Sequence, residues 1–188
     1  MFIHESAIID PGATIGEGTK IWHFSHIMPG AVIGKNCNIG QNVFIDNNTS
    51  IGNNVKIQNN VSVYNAVTIE DDVFLGPSMV FTNVINPRSF IDRKNEFRPT
   101  IIRKGATIGA NATILCGIVI GKYAMVGAGA VVTKNVAQFG LMTGNPARLT
   151  GWVSKAGQTL DFGESDTATC PQSGEIYILE NNLIRLSE

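Results

Sequence analysis

Residues 81–98 carry a dense set of polar side chains that could bind or orient a charged ligand. The amides and cations of this segment are Asn83, Asn86, Arg88, Arg93, Lys94, Asn95 and Arg98. An arginine guanidinium can hold a phosphate or carboxylate through two parallel hydrogen bonds, whereas a lysine acts as a point charge. The segment contains no histidine, which is the commonest general base in enzymes. Its predicted chemistry is therefore binding and orientation rather than proton abstraction by an imidazole.

The three histidines lie far from this segment in the sequence. His4, His23 and His26 all fall within the first 26 residues. We expect them to be hydrogen-bonding surface or interface groups, although His23 or His26 of a neighbouring copy could still reach the segment. Glu70 and Asp71 are the next candidates for a general base, but carboxylates at turns are usually solvated.

An aliphatic residue at every sixth position predicts the scaffold that must position these groups. The series runs through Ile3, Ile9, Ile15, Ile21, Ile27, Ile33, Ile39, Ile45, Ile51, Ile57, Val63, Ile69 and Leu75, and then Ile102, Ile108, Ile114, Ile120, Val126 and Val132. Four residues after each member comes a residue that is usually small or β-branched, so both positions can point inward from a short strand and its turn. No six-residue unit can bury its own aliphatic face, and neighbouring units must therefore stack. The pattern predicts an all-β fold, a stacked coil of parallel strands.

Glycine often follows the aliphatic position, and asparagine is frequent just beyond it. The glycines are Gly16, Gly34, Gly40, Gly52, Gly76, Gly109, Gly121 and Gly127. Both residue types tolerate positive φ, so we interpret these positions as corners that turn the chain from one strand into the next.

The six-residue register fails between Leu75 and Ile102. If it continued, Pro87, Arg93 and Pro99 would occupy inward positions. We therefore expect residues 81–100 to form a loop that leaves the stack. Long loops on rigid scaffolds commonly carry function, although a purely structural excursion is the alternative.

Composition excludes several other classes of protein. Charged residues make up 15% of the 188 residues and the net charge is −1, which predicts neither a nucleic-acid partner nor a basic one. No apolar run approaches the roughly eighteen residues that a membrane span needs, and the N-terminus enters the repeat almost at once, without a signal peptide. The three cysteines lack metal-ligand spacing, so we expect a reducing cytoplasmic location and no metal.

The chain is predicted to divide near residue 152. Residues 1–152 would form the coil with its loop at 81–100, and residues 153–188 a C-terminal extension. Within the extension, residues 175–179 and 183–186 flank two asparagines and predict a β-hairpin.

Seven stretches resemble one family. They are residues 20–27, 56–64, 74–84, 86–88, 105–114, 127–134 and 144–148. Together with the six-residue repeat they resemble the left-handed parallel β-helix of the hexapeptide-repeat acyltransferases. Residues 58–64 and 76–88 are most similar to the branch that N-acetylates the 3-amino group of a UDP-linked 2-acetamido-3-amino-2,3-dideoxyglucuronate. The resemblance covers roughly residues 1–152, and the left hand follows from it alone, because parallel crossovers are normally right-handed.

The resemblance implies an enzyme of bacterial surface-polysaccharide (O-antigen) synthesis. Three six-residue units would make one eighteen-residue coil, so Asn47, Asn65 and Asn83 would form a column. The family assembles as homotrimers with each active site between two prisms, and acetyl-CoA would lie beside the later coils. Candidate groups for acetyl-CoA are Gly109, Ala110, Gly127 and Ala128 beside the pantetheine, with Lys134 and Arg148 at the phosphates.

The UDP-linked amino sugar is expected at the earlier coils and the loop. The candidates for the sugar and the uracil are Gln41, Gln58, Asn59, Asn60 and Tyr64, and those for the pyrophosphate and the glucuronate carboxylate are Arg88, Arg93 and Lys94. An amine whose pKa lies near about 7.7–8.0 is substantially neutral in the cytoplasm and can attack a thioester without a strong base. We therefore predict that Asn83 is the catalytic residue and orients the amine.

Other functions on the same coil remain as alternatives. One is acetylation of another sugar nucleotide, such as a UDP-4-amino sugar, and another is O-acetylation, although a hydroxyl acceptor needs a clear base. A trimeric metal-dependent carbonic anhydrase would need three histidines at its interface, and the chain has none after His26. A scaffold trimer without enzymatic activity would leave the polar loop unexplained.

Overall fold

The computed structural model describes residues 1–187, and short strands account for almost all of its regular structure. Before the loop these are β1 Phe2–Ile3, β2 Ile8–Ile9, β3 Thr14–Ile15, β4 Lys20–Ile21, β5 His26–Ile27, β6 Val32–Ile33, β7 Asn38–Ile39, β8 Phe44–Ile45, β9 Ser50–Ile51, β10 Lys56–Ile57, β11 Ser62–Val63, β12 Val67–Ile69, β13 Phe74–Leu75 and β14 Val80–Phe81. After it come β15 Thr100–Ile102, β16 Thr107–Ile108, β17 Thr113–Ile114, β18 Val119–Ile120, β19 Met125–Val126, β20 Val131–Val132, β21 Gly140–Thr143, β22 Arg148–Trp152, β23 Thr167–Thr169, β24 Ile176–Glu180 and β25 Leu183–Leu186. A 3-10 turn at Lys94–Glu96 lies inside the loop.

Strands β1 to β21 stack into three parallel sheets, which are the faces of a triangular prism, and β22 adds an antiparallel strand to one of them. Face A has the order β1-β4-β7-β10-β13-β16-β19-β21-β22, face B the order β2-β5-β8-β11-β14-β17-β20, and face C the order β18-β15-β12-β9-β6-β3. Paired residues are eighteen apart through most of the stack, as where Lys20 pairs with Asn38, and sixteen apart at its last turn, where Met125 pairs with Leu141. Across the loop Phe74 pairs with Thr107, an offset of 33, so the extra residues leave the coil and the register then resumes. The predicted all-β coil of parallel strands is confirmed.

The core is one continuous column of inward aliphatic side chains. Ile21, Ile39, Ile57 and Leu75 are each fully buried, one above another on face A. Burying a side chain of this size stabilises the fold by about 1.5–3 kcal/mol. Phe81 is also inward and only 1% exposed, so the repeat continues one unit beyond Leu75 before the loop departs. An aliphatic series could not include it because phenylalanine replaces the usual Ile, Val or Leu.

The glycines do lie at corners, but the prediction that they are there because they tolerate positive φ is wrong. Positive φ belongs to the third corner residue, for example Asn36 and Asn54, and not to the glycine that follows the aliphatic residue. At that first position the next coil approaches too closely for a side chain. A Cβ built on Gly34 would stand 2.4 Å from the carbonyl oxygen of Gly52. The glycine is therefore required by stacking distance rather than by backbone conformation.

The last residues pack on one edge of the prism. Strand β22 is antiparallel to β21, and β23, β24 and β25 form a separate antiparallel sheet. This sheet encloses a second small core around the fully buried Tyr177. Tyr123 stacks on Phe139 at 5.4 Å, and Phe139 meets Tyr177 edge-on at the same distance, which joins the extension to the last coils.

Two further features bear on the sequence predictions. The three cysteines are unpaired and buried, so Cys37 and Cys116 act as small apolar groups within the coil. Among residues 1–187 there is no helix with the length and hydropathy that a membrane crossing requires.

Candidate active site

The polar residues of the prism lie at its three corners, which we name by the faces they join. Corner A–B contains residues 22–24, 40–42, 58–60, 76–78, 109–111 and 127–129. Corner B–C contains residues 46–48, 64–66, the loop 82–99, 115–117 and 133–135. Corner C–A contains residues 16–18, 34–36, 52–54, 70–72, 103–105 and 121–123.

An asparagine column leads up corner B–C to the point where the loop departs. The Asp46 carboxylate accepts the backbone N–H groups of Asn47 and Asn65, at 2.8 and 3.2 Å, and fixes the turns. The Asn65 amide then donates to the side-chain oxygen of Asn47. Asn83 occupies the corresponding position one coil higher. Its backbone carbonyl accepts a hydrogen bond from the Arg98 backbone N–H at 3.1 Å, which joins the two ends of the loop.

Asn83 lines an open cavity of about 450 Å³ between the loop and the stack. Most of its other lining groups are apolar, namely Phe81, Val84, Ile85, Pro87 and Leu115, together with Tyr64 and Thr82. Within residues 1–187 the Asn83 side chain makes no hydrogen bond to protein, so both its oxygen and its N–H groups remain available to a ligand. A free amide beside an apolar wall can orient one polar group of a substrate while the wall holds the rest.

The loop cations border a second cavity of about 470 Å³, which shares the lining residues Val84 and Pro87 with the first. Arg93 is committed to Glu96, because one of its terminal nitrogens contacts both carboxylate oxygens at 2.7 and 2.9 Å. The Arg93 Nε is buried without a partner. Arg88 and Lys94 are exposed, and among the described carboxylates neither forms an ion pair. Both are thus free to meet an anion, as is Arg98, which is exposed and forms no ion pair with the described carboxylates.

Corner A–B carries the other half of the predicted residues. Gln41, Gln58 and Asn59 line a cleft of about 260 Å³ with Trp22 and His23. Higher on the same corner come Gly109, Ala110, Gly127 and Ala128. A Cβ on Gly109 would stand 2.5 Å from the Ala128 nitrogen, so here too the next coil approaches too closely for a side chain. Arg148 begins β22 at the top of this corner, after the turn that leaves β21.

One chain does not bring the two halves of the predicted site together. Gln41, Gln58, Asn59, Asn60, Gly109, Ala110, Gly127, Ala128 and Arg148 lie on or above corner A–B, whereas Tyr64, Asn83, Arg88, Arg93, Lys94 and Lys134 lie on corner B–C. A face of six residues, at most roughly 20 Å, separates the corners. Asn60 and Tyr64, one from each half, share a small cavity of about 90 Å³ across face B.

The alternative bases lie on corner C–A, away from the loop cavity. Partial burial raises the pKa of Glu70, but hydrogen bonds from the Arg103 guanidinium and the Lys104 N–H outweigh it and lower that pKa. Asp71 accepts the Asn53 N–H at 2.7 Å. A carboxylate that is held ionised by an adjacent cation is a poor proton acceptor. The structure therefore does not favour Glu70 or Asp71 as the base.

The histidines remain in the first two coils. His4 stacks on His23 with ring centroids 3.5 Å apart, and His26 Nε2 lies 2.9 Å from Asp10. None of the three lines either loop cavity. Trp22 was absent from the predicted site, although its indole stands beside the glutamines. Its position directly before His23 in the corner column was the signal that could have identified it.

Comparison with known proteins places the chain in context. The family described as bacterial transferase hexapeptide (six repeats) matches residues 12–47, 48–80 and 99–134. The dTDP-3-amino-3,6-dideoxy-alpha-D-galactopyranose 3-N-acetyltransferase of Aneurinibacillus thermoaerophilus is 46% identical over 183 residues, 97% of this chain and 93% of that protein. The bifunctional protein GlmU of Thermotoga maritima is 30% identical over 145 residues, 76% of this chain but only 22% of that protein.

A solved structure shows the same architecture. A hexapeptide-repeat-containing acetyltransferase of Vibrio cholerae O1 biovar eltor, complexed with acetyl coenzyme A, superposes with a TM-score of 0.54 at 26% identity. The match covers 76% of this chain and 72% of that one. The predicted hexapeptide-repeat fold is thereby confirmed.

Proposed function

The chain belongs to the bacterial hexapeptide-repeat transferase family and is an acetyl-CoA-dependent acetyltransferase, and we propose that it acetylates the amine of a nucleotide-linked 3-amino sugar. Its β-helix has the left hand of that family. The observation that carries the proposal is the free Asn83 amide in an apolar cavity that no histidine lines. The relative that shares 46% identity over almost the whole chain is named for 3-N-acetylation of such a sugar nucleotide.

An uncharged amine needs orientation more than deprotonation. The Asn83 side-chain oxygen accepts a hydrogen bond from the amine and directs the nitrogen lone pair at the thioester carbonyl. A new C–N bond forms, the C–S bond breaks, and the proton lost by the amine passes to the departing thiolate. Holding the two reactants in line supplies most of the rate, because the reaction becomes effectively unimolecular. Backbone N–H groups at a glycine corner supply the oxyanion contact.

The lining of the cavity beside Asn83 favours a 6-deoxy sugar. Val84, Ile85, Pro87 and Leu115 offer a surface for a methyl group and none for a carboxylate. Arg93, which would suit a carboxylate, is already paired with Glu96. We therefore place a dTDP-linked 3-amino-3,6-dideoxyhexose first among the substrates. The UDP-linked 2-acetamido-3-amino-2,3-dideoxyglucuronate is the second candidate, favoured by the free cations Arg88 and Lys94.

The division of the site between two corners supports a homotrimer. Corner A–B of one copy would meet corner B–C of its neighbour, so that the acetyl-CoA column and the Asn83 cavity enclose one groove. In this arrangement Arg148 of one copy and Lys134 of the next would both border the upper part of the groove, near the phosphates of acetyl-CoA. Residues 1–152 would contain all the catalytic groups, and residues 153–188 would brace the last coils. Nucleotide sugars are made in the cytoplasm, which is the proposed location.

A thiol-release assay with acetyl-CoA and a panel of acceptors tests the proposal. The panel contains a dTDP-3-amino-3,6-dideoxyhexose, the UDP-linked 3-amino glucuronate, a UDP-4-amino sugar and the 3-hydroxy analogue of the first. We expect release with the 3-amino sugars, fastest with the 6-deoxy compound, and none with the hydroxyl analogue. Preference for the glucuronate would reverse the order of the two substrates. Turnover of the hydroxyl compound alone would refute N-acetylation.

A further inference from the structure

Thr82 is a polar group of the Asn83 cavity to which the proposed function assigns no role. It lies directly before Asn83, where the chain leaves β14, and both side chains line the cavity of about 450 Å³. The Cα atoms of consecutive residues are about 3.8 Å apart, so a reacting group held by Asn83 is within reach of the Thr82 side chain. Apart from Tyr64, the other lining residues are apolar. Thr82 and Asn83 therefore account for most of the side-chain hydrogen bonding that the cavity can offer.

The coil above fixes the position of the Thr82 hydroxyl. The Cys116 backbone N–H donates to the hydroxyl oxygen at 2.9 Å. Two coils lower on the same corner, the Asp46 carboxylate accepts the Asn65 backbone N–H in the same relation, at 3.2 Å. In both cases the first residue of the corner holds the second residue of the coil above. Since Cys116 belongs to the coil above Asn83, the Thr82 hydroxyl lies on the side of the later coils, where acetyl-CoA is expected.

The Thr82 O–H remains available to a ligand. A threonine hydroxyl has one donor and two acceptor sites, and the Cys116 N–H occupies an acceptor site. Among residues 1–187 the Thr82 hydroxyl donates to no protein group. Accepting the N–H polarises the hydroxyl, which strengthens the hydrogen bond that it can donate. Asp46, an ionised carboxylate at the corresponding position, can only accept hydrogen bonds.

Attack on the thioester requires such a donor beside Asn83. When the amine nitrogen forms the C–N bond, the π electron pair of the thioester carbonyl moves to the oxygen. That pair returns when the C–S bond breaks, so the oxygen carries negative charge only between the two events. Fixed donors aimed at this oxygen stabilise the transition state, because the charge develops there.

We infer that Thr82 is a second catalytic residue, whose hydroxyl donates a hydrogen bond to the thioester oxygen as it becomes negative. The inference rests on the proposed function for the reaction. Asn83 accepts a hydrogen bond from the amine, Thr82 donates one to the oxygen, and a backbone N–H of the glycine corner supplies the other oxyanion contact. Two adjacent residues thus serve the two partners of the reaction.

Thr82→Val tests the inference, because valine has nearly the shape of threonine but lacks the hydroxyl. We expect kcat to fall on the order of a hundredfold, the usual effect of removing one oxyanion donor. The KM values for acetyl-CoA and for the amino sugar should not change, because the hydrogen bond strengthens only in the transition state. Thr82→Ser keeps the hydroxyl and should restore most of kcat. Steady-state thiol release by the full chain measures all three proteins.

Thr100→Val is the matched control, because Thr82→Val also removes the hydrogen bond to Cys116. The Thr100 hydroxyl accepts the Gly117 N–H at 3.2 Å on the same corner, but this side chain is fully buried and does not line the cavity. Both valine variants should lower the urea midpoint of unfolding to a similar degree, and only Thr82→Val should lower kcat. Equal losses of kcat in the two variants would make Thr82 a structural residue and overturn the inference. Unchanged kcat in Thr82→Val, or no recovery in Thr82→Ser, would overturn it too.

Hydrolysis of acetyl-CoA without an acceptor separates the inference from the proposed function. Attack by water also places negative charge on the thioester oxygen, but it involves no amine. Thr82→Val should slow this hydrolysis as strongly as it slows acetylation, and Thr100→Val should not slow it. If hydrolysis depends on Thr82 but no amino sugar is acetylated, the proposed function fails while the inference holds. Acetylation at the full rate by Thr82→Val would show the reverse.

Discussion

Corners C–A and B–C turn the chain in the same way, but their polar side chains differ in whether they have partners within the protein. On corner C–A, Glu70 pairs with Arg103, Asp72 with Lys104, and the Asn53 amide donates to Asp71. Each group is used by the coil above or below. On corner B–C the asparagine ladder stops at Asn83, whose side chain is free, and the coil opens into a loop. Three cations of this loop, Arg88, Lys94 and Arg98, form no ion pair with the described carboxylates. The same stacked position can therefore either join coils or face a ligand, and the neighbouring coil decides which.

The largest effect is expected from mixing two impaired variants. This experiment tests whether each active site combines corner A–B of one copy with corner B–C of another. Ala128→Phe fills the acetyl-CoA side of corner A–B and should lower the rate about a hundredfold by misplacing the thioester. Asn83→Ala damages only corner B–C. In randomly mixed trimers on the order of a quarter of the interfaces combine two intact halves. We expect co-expressed variants to recover activity to that level in the thiol-release assay. Activity no higher than the average of the two parents would place the whole site in one chain.

The paired substitutions Asn83→Ala and Asn53→Ala compare the two corners directly. Both asparagines occupy the second position of their corner. Asn83→Ala should reduce kcat/KM at least about tenfold, equivalent to 1.4 kcal/mol of transition-state stabilisation, and leave stability unchanged. Asn53→Ala should leave kcat/KM unchanged and lower the free energy of unfolding by about 0.5–1.5 kcal/mol, because it removes hydrogen bonds between coils. Steady-state kinetics and urea denaturation of both variants measure this. Full turnover by Asn83→Ala would remove that residue from the mechanism.

A smaller effect is expected from Lys134, an exposed cation higher on corner B–C. Lys134→Ala should raise the KM for acetyl-CoA roughly three- to tenfold with little change in kcat, because an exposed ion pair to a phosphate contributes modestly. Lys122→Ala on corner C–A is the control and should not alter that KM. The KM values at low and high salt measure the difference, which should shrink as salt screens the charge. Equal KM values for Lys134→Ala and the unaltered protein would exclude Lys134 from the acetyl-CoA site.

The smallest expected effect concerns the ion pair of corner C–A. Glu70→Gln should lower the free energy of unfolding by less than about 1 kcal/mol at neutral pH, without loss of activity. The pKa of Glu70 is lowered in the folded protein. The carboxylate therefore stabilises the fold at pH above the pKa of the unfolded chain, about 4.3, and this stabilisation disappears as pH falls through the pKa of the folded protein. The stability difference between the two proteins should therefore vanish on acidification. A difference that grows in acid would contradict the pairing with Arg103.

The fold could be predicted from the sequence because each six-residue unit buries the same position. An inward aliphatic residue at every sixth position requires a coil, and the missing register near Arg93 located the loop. Phe81 was missed because its aromatic side chain interrupts the aliphatic series. The corner glycines were recognised but wrongly explained, since the separation between Gly34 and Gly52 exists only once coils stack.

The sequence by itself determined the stacked coil of parallel strands, because burial follows spacing along the chain, and the eighteen-residue turn was implied by the family resemblance. Tertiary structure decided which groups remain available to a ligand. Spacing along the chain does not show which of these polar groups find a partner within the protein. Asn53 is held by Asp71, and Arg93 by Glu96, whereas Asn83 and Arg88 face open cavities. Such differences arise from the neighbours that folding brings to each side chain.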